Sequence, residues 1–204
     1  MKELKRFCSF LVVAIVFISC DKRSDFYTIQ GEAQGSTYSI KYVASEEKVT
    51  KNQIDSLLNV FDLSLSTYRL DSKITKINDG NPTVVVDDFF VRTFKLSSQI
   101  YKETNGLFDP TIGVLVNAYG FGPNKKPQYL NQKKIDSLLQ FVGFDKITLN
   151  KDNTISKKHK ETFIDFNAIA QGYSVDVVVN YLKSKGIENA IVEIGGELFA
   201  LGKN

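Results

Sequence analysis

The sequence has no tryptophan, one histidine, two cysteines, four prolines and one methionine, the initiator. Each scarcity removes a class of chemistry. The lone histidine, His159, lies in the run Lys157-Lys158-His159-Lys160, which reads as a solvated turn. Neither a Ser-His-Asp triad nor a histidine-built metal site can therefore be assembled. Any metal would be held by oxygen, which favours magnesium or calcium over zinc. The cysteines, Cys8 and Cys20, offer no disulfide framework, because Cys8 falls in a segment that reads as a removable leader. An excess of one charge is also lacking: the formal net charge is +3, and Lys2, Glu3, Lys5 and Arg6 account for +2 of it. Nothing in that balance asks for nucleic acid.

What is present at the N-terminus is a short address. Lys2, Lys5 and Arg6 precede an apolar run, residues 7–18, that stops at Ser19-Cys20. The run is too short to span a bilayer and has the order of a secretory signal. A small residue directly before a cysteine at the end of such a run is the bacterial lipoprotein pattern, in which the cysteine is lipidated and becomes the first residue. A plain secretory signal that happens to contain a cysteine is the alternative. The lipoprotein reading gives a signal over 1–19, a lipid on Cys20, a polar tether over 20–25 and a folded domain over 26–204. It places the chain on the bacterial cell membrane, lipid-anchored and facing the periplasm.

The remaining chain, about 185 residues, is long enough for one domain with a real core. Tyr38, Ile40 and Tyr42 alternate with Ser39 and Lys41 as in a half-buried strand, with residues 26–30 as an antiparallel neighbour and 31–36 connecting them. From Thr50 the period becomes helical through Ile54, Leu57, Leu58 and Phe61, and Thr50 with Gln53 forms a capping box. A second helix is expected from Asp87 or Asp88 to Thr104, stopped by Asn105-Gly106, and a third from Asn131 through Ile135, Leu138, Leu139 and Val142. Short strands are expected at 146–149, 154–156 and 162–166, then a helix over about 171–185, then strands at 190–194 and 198–201 around Gly195-Gly196. The mixture is α+β, with mixed or antiparallel sheets and packed helices, and it lacks a steady βαβ rhythm.

Three stretches could carry chemistry. In Ser66-Thr67-Tyr68-Arg69-Leu70-Asp71-Ser72, Tyr68 offers a flat face for an aromatic ligand and Arg69 offers charge, while Asp71 or Ser72 reads equally well as the cap of a short helix containing Ile74 and Ile77. Residues 104–123 form a long irregular stretch holding four of the thirteen glycines. Loops of that length tend to be functional, and its apolar residues argue that it is packed. The third is "IDFNAIAQGYSVD" from Ile164, a strand end meeting a helix start, where amides from Ala170 to Tyr173 would face an anion and Gly172 would permit close approach. Tight strand-to-helix turns need small residues for packing as well.

In order along the chain, "GSTYSI" from Gly35, "LSTYRLDSKITKIN" from Leu65, "TNGLFDPTIGVLVNAYGFGP" from Thr104, "IDFNAIAQGYSVD" from Ile164 and "GIENAIVEIGGELFALG" from Gly186 resemble the ApbE family of FAD:protein FMN transferases. The resemblance implies an enzyme that cuts the pyrophosphate of FAD, passes FMN to a threonine hydroxyl of a target protein as a phosphoester and releases AMP, with Mg2+ on the pyrophosphate. It implies Tyr68 beside the flavin, and Leu107, Phe108 and Asp109 on FAD, largely its adenosine half. It places Gln171 and Gln34 at FAD-contacting positions and the main-chain oxygen of Ala168 on magnesium. The implied partner is the flavin-accepting subunit of a membrane redox complex. Gln171 departs from the lysine common in relatives, and Gln34 from methionine. The family's other magnesium ligands lie in a C-terminal part beyond Asn204. Two other activities fit the same pattern: FAD pyrophosphatase, with water replacing threonine, and a non-catalytic FAD-binding lipoprotein.

Overall fold

A computed structural model describes residues 24–123 and 127–203. The leader, Cys20 and most of the tether lie outside them. Six strands, β1 to β6, and six helices, α1 to α6, are found among the described residues, and the α+β expectation holds.

The alternation around Tyr38 gives strand β2 (Ser36–Ala44), antiparallel to β1 (Asp25–Ala33). The connection is shorter than expected. Both strands run on until only Gln34-Gly35 remains, with φ of 56° and 74°, the doubly left-handed two-residue turn that suits strand twist. β5 (Ala190–Ile194) pairs with β2, and β6 (Glu197–Leu201) pairs with β5 through Gly195-Gly196. The antiparallel sheet thus runs β1-β2-β5-β6, with β1 and β6 at its edges.

Helix α1 (Lys51–Leu65) and helix α6 (Asn167–Ser184) lie against one face of this sheet. At the start of α1, Gln53 Oε1 accepts from the Thr50 N–H at 3.0 Å, which supplies one half of the expected capping box. The period-two residues Tyr38, Ile40 and Tyr42 meet the period-3.6 residues Ile54, Leu58, Val178 and Leu182 in one apolar cluster. Residues expected to be half-buried, Tyr38, Ile40 and Tyr42, are at most 1% exposed, because two helices cover them.

A second cluster is built from Phe61 and Leu65 of α1, Ile74 of α2 (Lys73–Asn78), Phe90 of α3 (Asp88–Glu103), Phe144, Ile164 and Phe166. Phe90 meets Phe166 edge-on at 5.3 Å, a pairing that adds about 0.5–1.5 kcal/mol beyond area burial. Ser72 caps α2, accepting from Thr75 N–H at 3.1 Å, and Asp87 caps α3. The Asn105-Gly106 stop closes on Tyr101 O at 2.8 Å.

Four expectations are corrected. Residues 104–123 are not irregular throughout: α4 (Gly113–Ala118) forms inside them. Helix α5 (Gln132–Leu139) ends before Val142, and none of its residues is fully buried, so it lies on the outside. The strands near 146 and 154 pair as β3 (Ile147–Leu149) and β4 (Ile155–Lys157), but 162–166 forms no strand. Finally, α6 starts four residues earlier than expected, at Asn167, which puts "NAIAQG" inside the helix.

Candidate functional site

The segment 162–166 is extended but is held by side chains and a loop. Asn78 at the end of α2 grips it from both sides: Ile164 N–H donates to Asn78 Oδ1 at 2.8 Å, and Asn78 Nδ2 donates to Ile164 O at 2.9 Å. The Asp165 N–H donates to Pro110 O at 2.7 Å, and Phe163 forms an isolated bridge with Ile112. Gly113 permits this approach, since a Cβ there would lie 2.9 Å from the Phe163 carbonyl. Three of the sequence motifs therefore meet at one place.

Helix α6 begins there without an oxygen-bearing cap, Phe166 occupying that position. Its carbonyl accepts from Ile169 and Ala170 at 2.9 and 2.8 Å, and Asp165 Oδ1 accepts from the Asn167 N–H at 2.8 Å. Burial pushes the Asp165 carboxyl up, against the opposing pull of that amide. The amide of Ala170, expected to face an anion, is thus spent inside the helix. Ala168 is exposed in the first turn, and its N–H finds no partner among the described residues. Its carbonyl lies over Gly172 one turn on, where an added Cβ would find only Glu197 Oε2, at 4.0 Å.

Gln171 has a definite task. Its Nε2 donates to Gly195 O at 2.9 Å and Ile194 O at 3.3 Å, stapling α6 to the β5–β6 turn. A side chain on Gly195 would collide with that amide. The adjacent helix position Ser174 donates to Gln171 O at 2.6 Å and to Gln34 Oε1 at 3.2 Å. The Gln34 amide also faces Asp62 of α1, whose carboxyl is raised by burial against the lowering pull of Gln34 and Arg69. The two hairpin turns, α6 and α1 converge on this group.

Tyr68 is 54% exposed and donates its hydroxyl to Phe121 O at 3.3 Å. Arg69 does not supply free charge: it donates to Asp71 at 3.0 and 2.8 Å and to Asn59 Oδ1 at 2.6 Å. The Arg69 guanidinium in turn holds the Asp71 carboxyl below its ordinary range. Leu107 is 93% exposed and Phe108 is half-buried, its N–H donating to Thr104 Oγ1 at 3.1 Å. Asp109 braces its own loop, accepting from the Thr111 N–H and hydroxyl at 2.8 and 2.6 Å, and Thr111 Oγ1 accepts from Gly143 N–H.

Contacts thus link Gln34 with Gln171 through Ser174, and Tyr68 with the 104–123 stretch. Sequence reasoning missed Asp62, Ser174, Asn78 and Asp165. Asp62 carried a signal: it stands four residues after Leu58, on the flank of the buried stripe of α1, where a carboxylate is out of place. As to metal, no group of three or more His, Cys, Asp or Glu side chains able to hold an ion exists among the described residues. A single main-chain oxygen at Ala168 does not complete a magnesium site, so these residues alone do not fit the ion.

Residues 34–204 match the ApbE family. The chain is 34% identical over 206 residues to a FAD:protein FMN transferase of Vibrio cholerae, covering 95% of this chain and 60% of that protein. It is 33% identical over 219 residues to one of Haemophilus influenzae, covering 100% and 62%. Among solved structures, the flavin transferase ApbE from Vibrio cholerae superposes with a TM-score of 0.82 at 34% identity, covering 89% of this chain and 61% of that one. The apo flavinyl transferase ApbE of Pseudomonas stutzeri gives 0.80 at 31% identity, covering 89% and 62%. The chain spans about three fifths of the length of these relatives. Sequence and fold agree, and the chain belongs to the ApbE family.

Proposed function

We propose that this chain is the flavin-binding part of an FAD:protein FMN transferase, an enzyme that moves FMN from FAD to a protein acceptor. One observation carries the reading: motifs distant in sequence meet at one site, through Tyr68 on Phe121, Asn78 on Ile164 and Asp165 on Pro110. In the reaction a threonine oxygen of the acceptor bonds to the FMN phosphorus. The bond from that phosphorus to the bridging oxygen of the pyrophosphate breaks, the threonine gives up its proton, and AMP leaves.

The chain's own contribution is placement. Tyr68 offers its exposed ring as a wall for the isoalloxazine, its hydroxyl fixed by the Phe121 carbonyl. Gln34 offers its amide from the β1–β2 turn, its Oε1 accepting from the Ser174 hydroxyl. Leu107, Phe108 and Asp109 belong to the adenosine side. Gln171 positions the β5–β6 turn and brings no positive charge to the diphosphate; a magnesium ion, if bound, would supply that charge, and the Ala168 main-chain oxygen would be one of the groups to hold it. The acceptor is the flavin-carrying subunit of a membrane redox complex. A lipid on Cys20 holds the enzyme on the bacterial cell membrane, facing the periplasm.

The test is to incubate the full-length protein with FAD, magnesium and that subunit in flavin-free form, and to read intact mass and nucleotide products. The proposal expects FMN attached to one threonine and an equal amount of AMP. Free FMN with AMP and no mass gain would mean a pyrophosphatase. A stable FAD complex without AMP would mean a flavin-binding lipoprotein.

A further inference from the structure

Among the described residues β1 is an edge strand of nine residues with neither a proline nor a bulge to blunt it. The Gln34-Gly35 turn fixes which of its groups are unpaired. A two-residue hairpin closes on a pair that exchanges both main-chain bonds, here Ala33 with Ser36, so Gly31 and Ile29 also face β2. The N–H and C=O of Gln30 and Glu32 therefore point away from the sheet. No hydrogen bond to them forms among the described residues, and both residues are exposed.

This edge is one wall of a cleft of about 470 Å3. Gly31, Glu32 and Ala33 form that side, and Lys51, Asp55 and Asp62 stand among the α1 residues opposite. From Lys51 to Asp62 the helix advances about 16 Å. At about 3.3 Å per residue, that length matches about five residues of extended chain. The wall is low: Gly31 has no side chain, because the Tyr38 ring passes within 2.6 Å of where a Cβ would stand, on its way to donate to Asp55 at 2.6 Å. At one end the cleft reaches Ala33, the chain neighbour of Gln34, and Asp62, and so opens on the candidate flavin site.

We propose that this cleft is the acceptor groove: an extended segment of the protein acceptor adds to β1 as a further strand, exchanging main-chain bonds with Gln30 and Glu32, and its end at Gln34 carries the hydroxyl that receives FMN. The inference rests on the transferase reading. Main-chain pairing supplies affinity without demanding particular side chains, and the small residues Gly31 and Ala33 leave room beside the edge. The carboxylates of Glu32, Asp55 and Asp62, faced by Lys51 alone among the lining cations, disfavour an acidic segment.

The test uses the full-length protein and the flavin-free acceptor subunit. Glu32→Pro removes the outward N–H while leaving the β1–β2 ladder its bonds, since proline is tolerated on an edge. The expected result is a rise of about tenfold or more in the acceptor KM, with the KM for FAD moving less than twofold. Glu32→Lys, which keeps the main-chain donor, should change the acceptor KM by less than threefold and guards against a folding artefact in the proline variant. Amide hydrogen exchange should show Gln30 and Glu32 slowed by the acceptor. If wild type flavinylates the acceptor and Glu32→Pro does so with the same KM, the groove is wrong and the transferase reading stands. If wild type flavinylates nothing, both fail. Protection of Gln30 and Glu32 in the enzyme alone, lost on dilution of a dimer, would assign the edge to a second copy and overturn the proposal.

Discussion

Asn78→Ala should unlock the segment that leads into α6, and its cost can be worked from the two bonds it removes. Ile164 is fully buried, and its N–H and C=O are both satisfied by the Asn78 side chain, at 2.8 and 2.9 Å. Alanine leaves both groups stranded, at about 1–3 kcal/mol each, so a loss of about 2–6 kcal/mol is expected. For a chain of this size 1 kcal/mol corresponds to about 2–4 °C, which puts the fall in Tm between about 4 and 24 °C. Asn78→Asp separates the two bonds. Its Oδ1 still accepts from Ile164 N–H, but the second oxygen faces the Ile164 carbonyl, and only a protonated carboxyl can donate to it. The folded-state pKa of the new group is therefore raised. Its stability contribution is present below the unfolded value, about 3.9, and is lost as pH rises through the folded one. Urea unfolding at pH 4 and pH 7 checks both claims. A loss below about 1 kcal/mol for Asn78→Ala, or a flat pH response for Asn78→Asp, would refute the clamp.

Asp62→Asn should stabilise the protein near neutrality, because the burial-raised carboxyl favours the fold below its unfolded pKa and that contribution is lost as pH rises through the folded value; thermal melts from pH 4 to 7 should lose that slope in the variant. Gly195→Ala meets both a left-handed φ of 57° and the Gln171 amide, so a loss of about 1–2 kcal/mol from the backbone alone is expected in denaturant titration. For Tyr68→Asn, FMN release from FAD by water should rise if the ring shields the phosphate, read as AMP formed without acceptor; unchanged hydrolysis would remove the shielding role. Asp55 is held below its ordinary range by Lys51 and the Tyr38 hydroxyl, so Tyr38→Phe should raise its NMR-titrated pKa.

The elements whose signals are local were legible. Alternation around Tyr38, the apolar stripe of α1, and the Asn105-Gly106 stop each act within a few residues, and the structure keeps them. What failed was the length of things set by distant partners. β1 and β2 run on to Ala33 and Ser36, where the sequence alone suggests a six-residue connection: Gln34 is an unusual left-handed residue, and its side-chain bond to Ser174 reaches 140 positions along the chain. Residues 162–166 look like a strand because they are apolar and β-branched, yet the partner they find is an asparagine side chain on α2.

The start of α6 shows why the site was readable as a motif and not as geometry. Phe166 breaks the capping rule, since the cap position itself carries no side-chain oxygen although Asp165 and Asn167 flank it, and the sequence reading starts the helix only at about Gln171. In the structure Asp165 caps from one residue further back, accepting from Asn167, and its N–H is anchored on Pro110. That shift of four residues is about one turn, or about 6 Å along the axis. It moves Ala168 from a loop into the exposed first turn and turns the Gln171 side chain onto the β5–β6 hairpin, where its donors are consumed. A lysine there would reach the same two carbonyls with an ammonium and keep its charge beside the site; glutamine makes the bonds without the charge. Gln171→Lys should consequently tighten FAD binding, read by flavin fluorescence titration at low and high salt, with the gain shrinking at high salt. A gain insensitive to salt would place the effect in packing and not in charge.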